Sequence, residues 1–409
     1  MTRDELYSQI PYFWPDLNDE EYALYDCFEM IASQVASVRE ATEAVDSIFR
    51  KTNQLLRTLP DETLLLLGYP EASLPFLREK TMPQETIIGR YDWIMKDGQL
   101  KLMEFNADTP TFIKELFDVN GVVASEFGLL DPNREATAQL KIELRKAIVA
   151  AWNRLKREGT PKIVFTAHDD NIEDKWTARF LQETLDLPSE FVPLHALLVD
   201  EDGVYTPSGE RIDILYRQTY PIEHLVDDRS ADGDLIGIRL LELNLEKHVS
   251  LLNPLSAFLM QSKGVQALIW ELYETETLFD ETERDIIGTY FLPTYLEETP
   301  FLGESDYVKK PAFGREGDSV ILYTKDGQPF HREALQTYAE ETAVYQQFIE
   351  LPKRMTTTVK GRVETHYMIG CFCLNGHPSA LGVRAGSMIT NNLSYYLAVG
   401  TPTQKETNS

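Results

Sequence analysis

Residues 87–106, with RYDWIMKDGQLKLMEFN at their core, constrain this chain more tightly than any other stretch. Apolar and polar side chains alternate on both sides of Asp97-Gly98, a dipeptide that favours a tight hairpin turn. A three-residue loop, Asp97 to Gln99, places Asp92 opposite Glu104 and Arg90 opposite Asn106. Tyr91, Trp93, Met103 and Phe105 then share the other face. A strict two-residue turn scrambles that sorting, because one step of register exchanges the faces. In the sorted register one face is apolar and the other carries two carboxylates, an amide and a guanidinium. Oxygen donors of this kind suit Mg²⁺, which shares its shell with phosphate oxygens and water. The same residues also suit a plain cross-strand salt bridge, Arg90 with Asp92 or Glu104, on a solvated face.

A second segment, YVKKPAFGREGDSVIL (307–322), reads as a strand carrying Lys310 followed by a loop with Gly314 and Gly317. Such glycines let backbone N–H groups close over phosphate oxygens, and Arg315 adds charge beside a transferring phosphoryl group. The spacing is not that of a Walker A loop, and ordinary turn glycines also account for it. Asp169, Asp170, Glu173 and Asp174 open a helix, where carboxylates complement the N-terminal dipole and could also meet a cation. Cys371 and Cys373 read as core residues, and the seven histidines form no zinc pair.

Charge and composition narrow the function classes. With 39 Lys+Arg against 66 Asp+Glu the net charge is −27, and no basic patch interrupts it, so nucleic acid is excluded as a partner. A 43% hydrophobic content excludes a disordered chain. No stretch approaches the 18 apolar residues of a membrane span, and three cysteines make no disulfide framework. The expectation is a cytoplasmic protein with no membrane contact.

Along the chain, Asn18 with Glu21 predicts the start of a helix that runs to Leu56 through Leu24, Phe28, Ile31, Val35 and Val38. Strand–helix alternation between 161 and 243, including a strand over 238–243, predicts a parallel α/β layer. One apolar helix is expected from Asn253-Pro254 to Tyr273. Beyond a boundary near 300 the pattern is α+β, with strands at 307–311, 320–323, 365–374 and 379–383 and a helix over 332–349. The polar tail 401–409 is read as frayed.

RYD (90–92), EFNADTPT (104–111), LLNPLSAFLMQSKGVQALIWEL (251–272) and VKKPAFGREGDSV (308–320) occur in that order. The combination resembles the synthetase domain of glutathionylspermidine synthase, a member of the ATP-grasp superfamily, over essentially the whole chain. The amidase domain of the bifunctional members has no expected counterpart. The resemblance implies an α/β and α+β architecture: an ATP-grasp fold, a preATP-grasp-like α/β domain and an N-terminal helical segment. It divides the chain into 1–80 (helical), 81–119 with 256–409 (ATP-grasp) and 120–255 (preATP-grasp-like).

The implied activity is an ATP-dependent carboxylate–amine ligase acting through an acyl phosphate on small-molecule substrates. On the matching motifs, Asp92, Glu104 and Asn106 would hold two Mg²⁺ ions. Arg90 would meet the carboxylate and Arg315 would close over the reacting groups. Lys263, Lys310, Gly314, Gly317, Gln347, Glu350 and Glu364 would serve ATP. Thr109, Thr111 and Arg384 would contact the acyl donor, and Asp170 and Glu173 a cationic amine such as a polyamine. The chain departs from the family at Phe112-Ile113-Lys114-Glu115 and at Arg384-Ala385-Gly386-Ser387, which leaves both substrates open. The alternatives are an MgATP-binding module without turnover and a metal-dependent phosphohydrolase. The oligomeric state is not set by the sequence.

Overall fold

The computed structural model describes residues 1–403 except 219, 231 and 392. Its organising element is a seven-stranded sheet in the order Ala23–Glu29, Tyr395–Gly400, His377–Gly386, Gly361–Leu374, Ile88–Lys96, Gln99–Asn106, with Lys353–Thr358 also paired to Gly361–Leu374. All pairings are antiparallel except the parallel one between Tyr395–Gly400 and Ala23–Glu29. Helix Ala32–Leu56 packs on one face of this sheet, burying Val38, Val45, Ile48 and Phe49. Two polar contacts fix its seat: Trp93 Nε1 donates to Thr42 Oγ1 at 3.0 Å, and the Tyr91 hydroxyl donates to Asp46 Oδ1 at 3.0 Å. With Tyr91 and Phe105 stacked 3.9 Å apart under this helix, the charged face of the hairpin must point the other way.

A five-stranded antiparallel sheet faces it, ordered Thr294–Tyr295, Ala343–Gln347, Tyr307–Pro311, Ile321–Tyr323, Pro329–Arg332. A third sheet is wholly parallel: Ser250–Leu252, Ile214–Arg217, Ile163–Thr166, Glu190–Phe191. Helices Ala136–Leu155 and Ile172–Leu185 pack on it.

The hairpin keeps the expected pairs Arg90↔Asn106, Tyr91↔Phe105 and Asp92↔Glu104, but by another route. Its turn is the two-residue Asp97-Gly98, closed by Lys96↔Gln99, with both turn residues at positive φ (51° and 76°). A β-bulge then makes Trp93 pair with Leu102, so Met103 is the extra residue. The bulge restores the sorting that the short turn would have lost. It also moves Met103 off the helix-covered face, where it was expected, and into the cleft beside Ile94.

Other expectations are corrected as well. Residues 23–29 form a strand, because pairing with Tyr395–Gly400 overrides a periodicity that also suits a helix. Asn18 and Asp19 make a turn at positive φ, and the helix starts at Ala32 with Ile31 as its cap. Residues 236–245 are helical, the other outcome of a short buried apolar run. The helix expected over 332–349 is absent: Pro329–Arg332 and Ala343–Gln347 are strands, the second with strictly alternating burial. The long helix after Pro254 is broken into Leu255–Gln261 and Gly264–Glu274. Of the tail, Thr401 pairs with Leu130 rather than fraying, and 404–409 lie outside the described residues.

Among the described residues no helix is long and apolar enough to cross a membrane.

Candidate active site

Between the seven-stranded and five-stranded sheets lies a cleft. The charged face of the hairpin forms its floor. Arg90 and Asp92 are 4% and 1% exposed, so the pair is not on a solvated face. Arg90 Nε and Nη2 donate to the two Asp92 oxygens at 2.7 and 3.0 Å, and Nη1 donates to the carbonyl of Thr111 at 2.8 Å. Burial pushes the Asp92 carboxyl up, and Arg90 works against that shift. For Glu104, burial also acts upward, but the surrounding Lys263, Lys310 and Arg90 outweigh it and hold the carboxyl at about 2.

Each lysine arrives from a different element. The break between the two helices brings Lys263 to the cleft, where Nζ donates to the Gly314 carbonyl at 2.8 Å and stands 3.6 Å from Glu104 Oε2. Lys310 points inward from strand Tyr307–Pro311 and donates to Gln346 Oε1 at 2.8 Å. Burial draws its ammonium down to about 8. Gly314 turns tightly enough that a Cβ would fall 2.0 Å from Pro311 Cγ, so only glycine fits where the loop leaves the strand. The loop brings Arg315 to the cleft, its Nη2 3.2 Å from Thr109 Oγ1.

The hairpin brings potential metal donors together. Asn106 Nδ2 lies 3.0 Å from Asp92 Oδ2 and 3.4 Å from Glu104 Oε1, so the amide bridges two carboxylates at one point. A half-turn of the amide, which exchanges its O and N, presents three hard oxygen donors there. Among the described residues no three His, Cys, Asp or Glu side chains converge to hold an ion, so the amide and non-protein oxygens would complete the shell. The residues fit Mg²⁺ on those terms.

Most of the other expected residues line the same cleft: Thr109, Thr111, Gln347, Gly317 and Arg384. Glu350 does not. Its carboxylate turns to Lys353 at 3.0 Å and His366 at 3.6 Å, while its neighbours Ile349 and Leu351 face the cleft. Glu364 also lies elsewhere, 64% exposed on the Lys353–Thr358/Gly361–Leu374 hairpin. Asp170 is exposed before helix Ile172–Leu185, which Asn171 caps. Glu173, one turn on, interacts with Arg384. Burial and the nearby Glu115 and Asp174 raise its carboxyl to about 8.

Several residues of the site were not anticipated. Ile94, Met103, Leu292, Leu351 and Met368 build an apolar slot at one end of the cleft. Asn253 Oδ1 accepts from the backbone N–H of Ile87 and Ile88, and Gln261 Oε1 from those of Ala107 and Asp108, so both strands of the hairpin are clamped at their roots. Both clamps lie in the LLNPLSAFLMQSKG stretch, where two amides in an apolar run were the available signal. Asp108 forms a fully buried bidentate pair with Arg217, at 2.6 and 3.0 Å.

Residues 4–400 match the family described as Glutathionylspermidine synthase preATP-grasp. The chain belongs to this family. It is 23% identical over 368 residues to the bifunctional glutathionylspermidine synthetase/amidase of Escherichia coli, a match that covers 82% of the chain and 54% of that protein. The chain therefore spans about half the length of that curated relative. A Haemophilus influenzae protein provisionally named as an acid–amine ligase is 25% identical over 280 residues, 65% of this chain and 64% of that one. Among solved structures, a glutathione synthetase-like effector from Globodera pallida superposes with a TM-score of 0.57 at 12% identity, covering 93% of this chain and 90% of the other. That likeness concerns the fold, which is of the ATP-grasp-related kind.

Proposed function

We propose that this family member is an ATP-dependent carboxylate–amine ligase that makes an amide through an acyl phosphate. The observation that carries this reading is the convergence of Arg90, Asp92, Glu104 and Asn106 with Lys263, Lys310 and Arg315 in one cleft. Phosphoryl transfer asks little of a protein beyond positioning and charge neutralisation, and this set offers both. Bound at Asp92, Glu104 and Asn106, two Mg²⁺ ions would neutralise the charge of the transferring phosphate.

The apolar slot of Ile94, Met103, Leu292, Leu351 and Met368 suits the adenine ring, with Gln347 at its edge. Lys263 and Lys310 meet the phosphates under the Gly314–Gly317 turn. Arg90 orients the substrate carboxylate, whose oxygen attacks the γ-phosphorus while ADP departs. A cationic amine first gives up a proton; its neutral nitrogen then attacks the acyl carbon, phosphate departs, and the nitrogen loses a second proton. Thr109, Thr111 and Arg384 border the acyl donor. Glu173, whose carboxyl burial and its acidic neighbours raise to about 8, is ionised by the approach of the cationic amine and then accepts the first of those protons. Asp170, exposed at the approach to it, adds long-range attraction, whereas Glu350 and Glu364 take no part.

The test is ADP release from MgATP with small peptides or amino acids crossed against polyamines. Release that requires both a carboxylate and an amine is the expected result. Release with neither present would instead mean a phosphohydrolase, and tight MgATP binding without release across the panel would mean a binding module. For Arg315→Ala we expect kcat to fall about 10²-fold with the KM for ATP held within about twofold, because the guanidinium acts on the transferring group rather than on bound nucleotide. Unchanged kcat in steady-state assays would remove Arg315 from that role.

A further inference from the structure

Arg315 has a second partner, from a part of the fold that the ligase motifs do not reach. Glu223 sits in the short helix Ile222–Leu225, past the end of strand Ile214–Arg217 and so at the carboxyl edge of the parallel sheet. Its Oε1 accepts from Arg315 Nη2 at 3.3 Å, the same nitrogen that donates to Thr109 Oγ1 at 3.2 Å. The side chain is 7% exposed, and Oε2 is buried with no hydrogen-bond partner among the described residues. A carboxylate so placed is poorly satisfied by anything except the arginine, and among the described residues the arginine is the one cation that forms an ion pair with it.

The loop that carries Arg315 is not independent of its surroundings. Ser319 N–H donates to the Leu335 carbonyl, Asp318 Oδ1 accepts from Thr337 N–H at 2.9 Å, and Ser319 Oγ accepts from Tyr338 N–H at 2.9 Å. Residues 312–320 and 333–342 are thereby tied into one lid. Glu341 on the second segment also lies within electrostatic reach of Glu223, and burial together with that carboxylate raises its own. Arg315 is thus the link between the lid and the parallel sheet, and Glu223 is where it lands.

We propose that Glu223 is a positioning residue that seats the lid by holding Arg315 against Thr109, just past the second strand of the hairpin, in register with the reacting groups. Its kinetic consequence rests on the ligase reading; its structural consequence does not. Losing the carboxylate leaves Arg315 only a neutral hydroxyl, so the lid opens more often and the guanidinium is less often in place.

The experiment uses Glu223→Ala, with Glu223→Gln as a shape-preserving second variant, in the full chain. Hydrogen exchange of backbone amides in 312–320 should accelerate about tenfold in Glu223→Ala and less in Glu223→Gln, while residues 88–106 keep wild-type protection. In the ligase assay kcat should fall about tenfold with the KM for ATP within about twofold. Unchanged exchange in the lid overturns the proposal whatever the kinetics, and so does acceleration that extends equally to the hairpin. Faster lid exchange with undiminished kcat overturns the positioning role. If the wild type shows no amine-dependent turnover, the ligase reading fails, and the exchange comparison alone decides whether Glu223 seats the lid.

Discussion

Asp92→Asn is expected to lower turnover by about 10³-fold or more, because it removes one of the two carboxylate charges that a cation in the cleft would need. The substitution is close to isosteric and keeps an oxygen to accept from Arg90, so the buried guanidinium is not left bare. Asp92 lies 1% exposed at the centre of a tightly paired hairpin, and solvent cannot replace a lost ligand there. The measurement is single-turnover ADP formation at saturating Mg²⁺, beside a thermal melt to show that the variant is folded. A folded variant with more than a tenth of wild-type turnover would refute Asp92 as a metal ligand.

Arg217→Ala should cost about 3–5 kcal/mol of folding stability, the range for removing one partner of a buried ion pair. Asp108 would remain 1% exposed with its charge uncompensated, and the Tyr220 carbonyl would also lose its donor at 2.6 Å. The pair joins the root of the hairpin to the end of the parallel strand Ile214–Arg217, so its loss loosens the floor of the cleft as well. Replacing both partners together, Arg217→Met with Asp108→Leu, should cost much less, since no bare charge is then buried. Urea denaturation of both variants reads the difference. A single-variant loss below about 1 kcal/mol would mean that water or another cation reaches Asp108.

Local alternation and motif spacing carried a good share of this protein. The hairpin, its register at Arg90, Asp92, Glu104 and Asn106, and the strand bearing Lys310 are all legible in the residues themselves. The reason is that a period-two pattern with one apolar face leaves a strand only one way to lie on a core. Lys263 was legible only through its motif: nothing in an apolar helix reveals that it breaks at Ser262, turning Gln261 and Lys263 into the cleft.

Tertiary structure decided what depended on partners far along the chain. Residues 23–29 are a strand because Tyr395–Gly400, some 370 residues away, offers them hydrogen bonds. Met103 faces the cleft because a bulge offsets a short turn. Glu350 and Glu364 sit next to the cleft in sequence order yet point elsewhere, since their strands were placed by pairing and not by their charges. Asp108 found Arg217, and Arg315 found Glu223, across sheets that no local pattern connects. The residue pattern alone settles which residue types line the floor of the cleft and that they lie on one face. Only the packed sheets decided which distant charges meet there, because a buried charge selects its partner by proximity in the fold and not by distance along the chain.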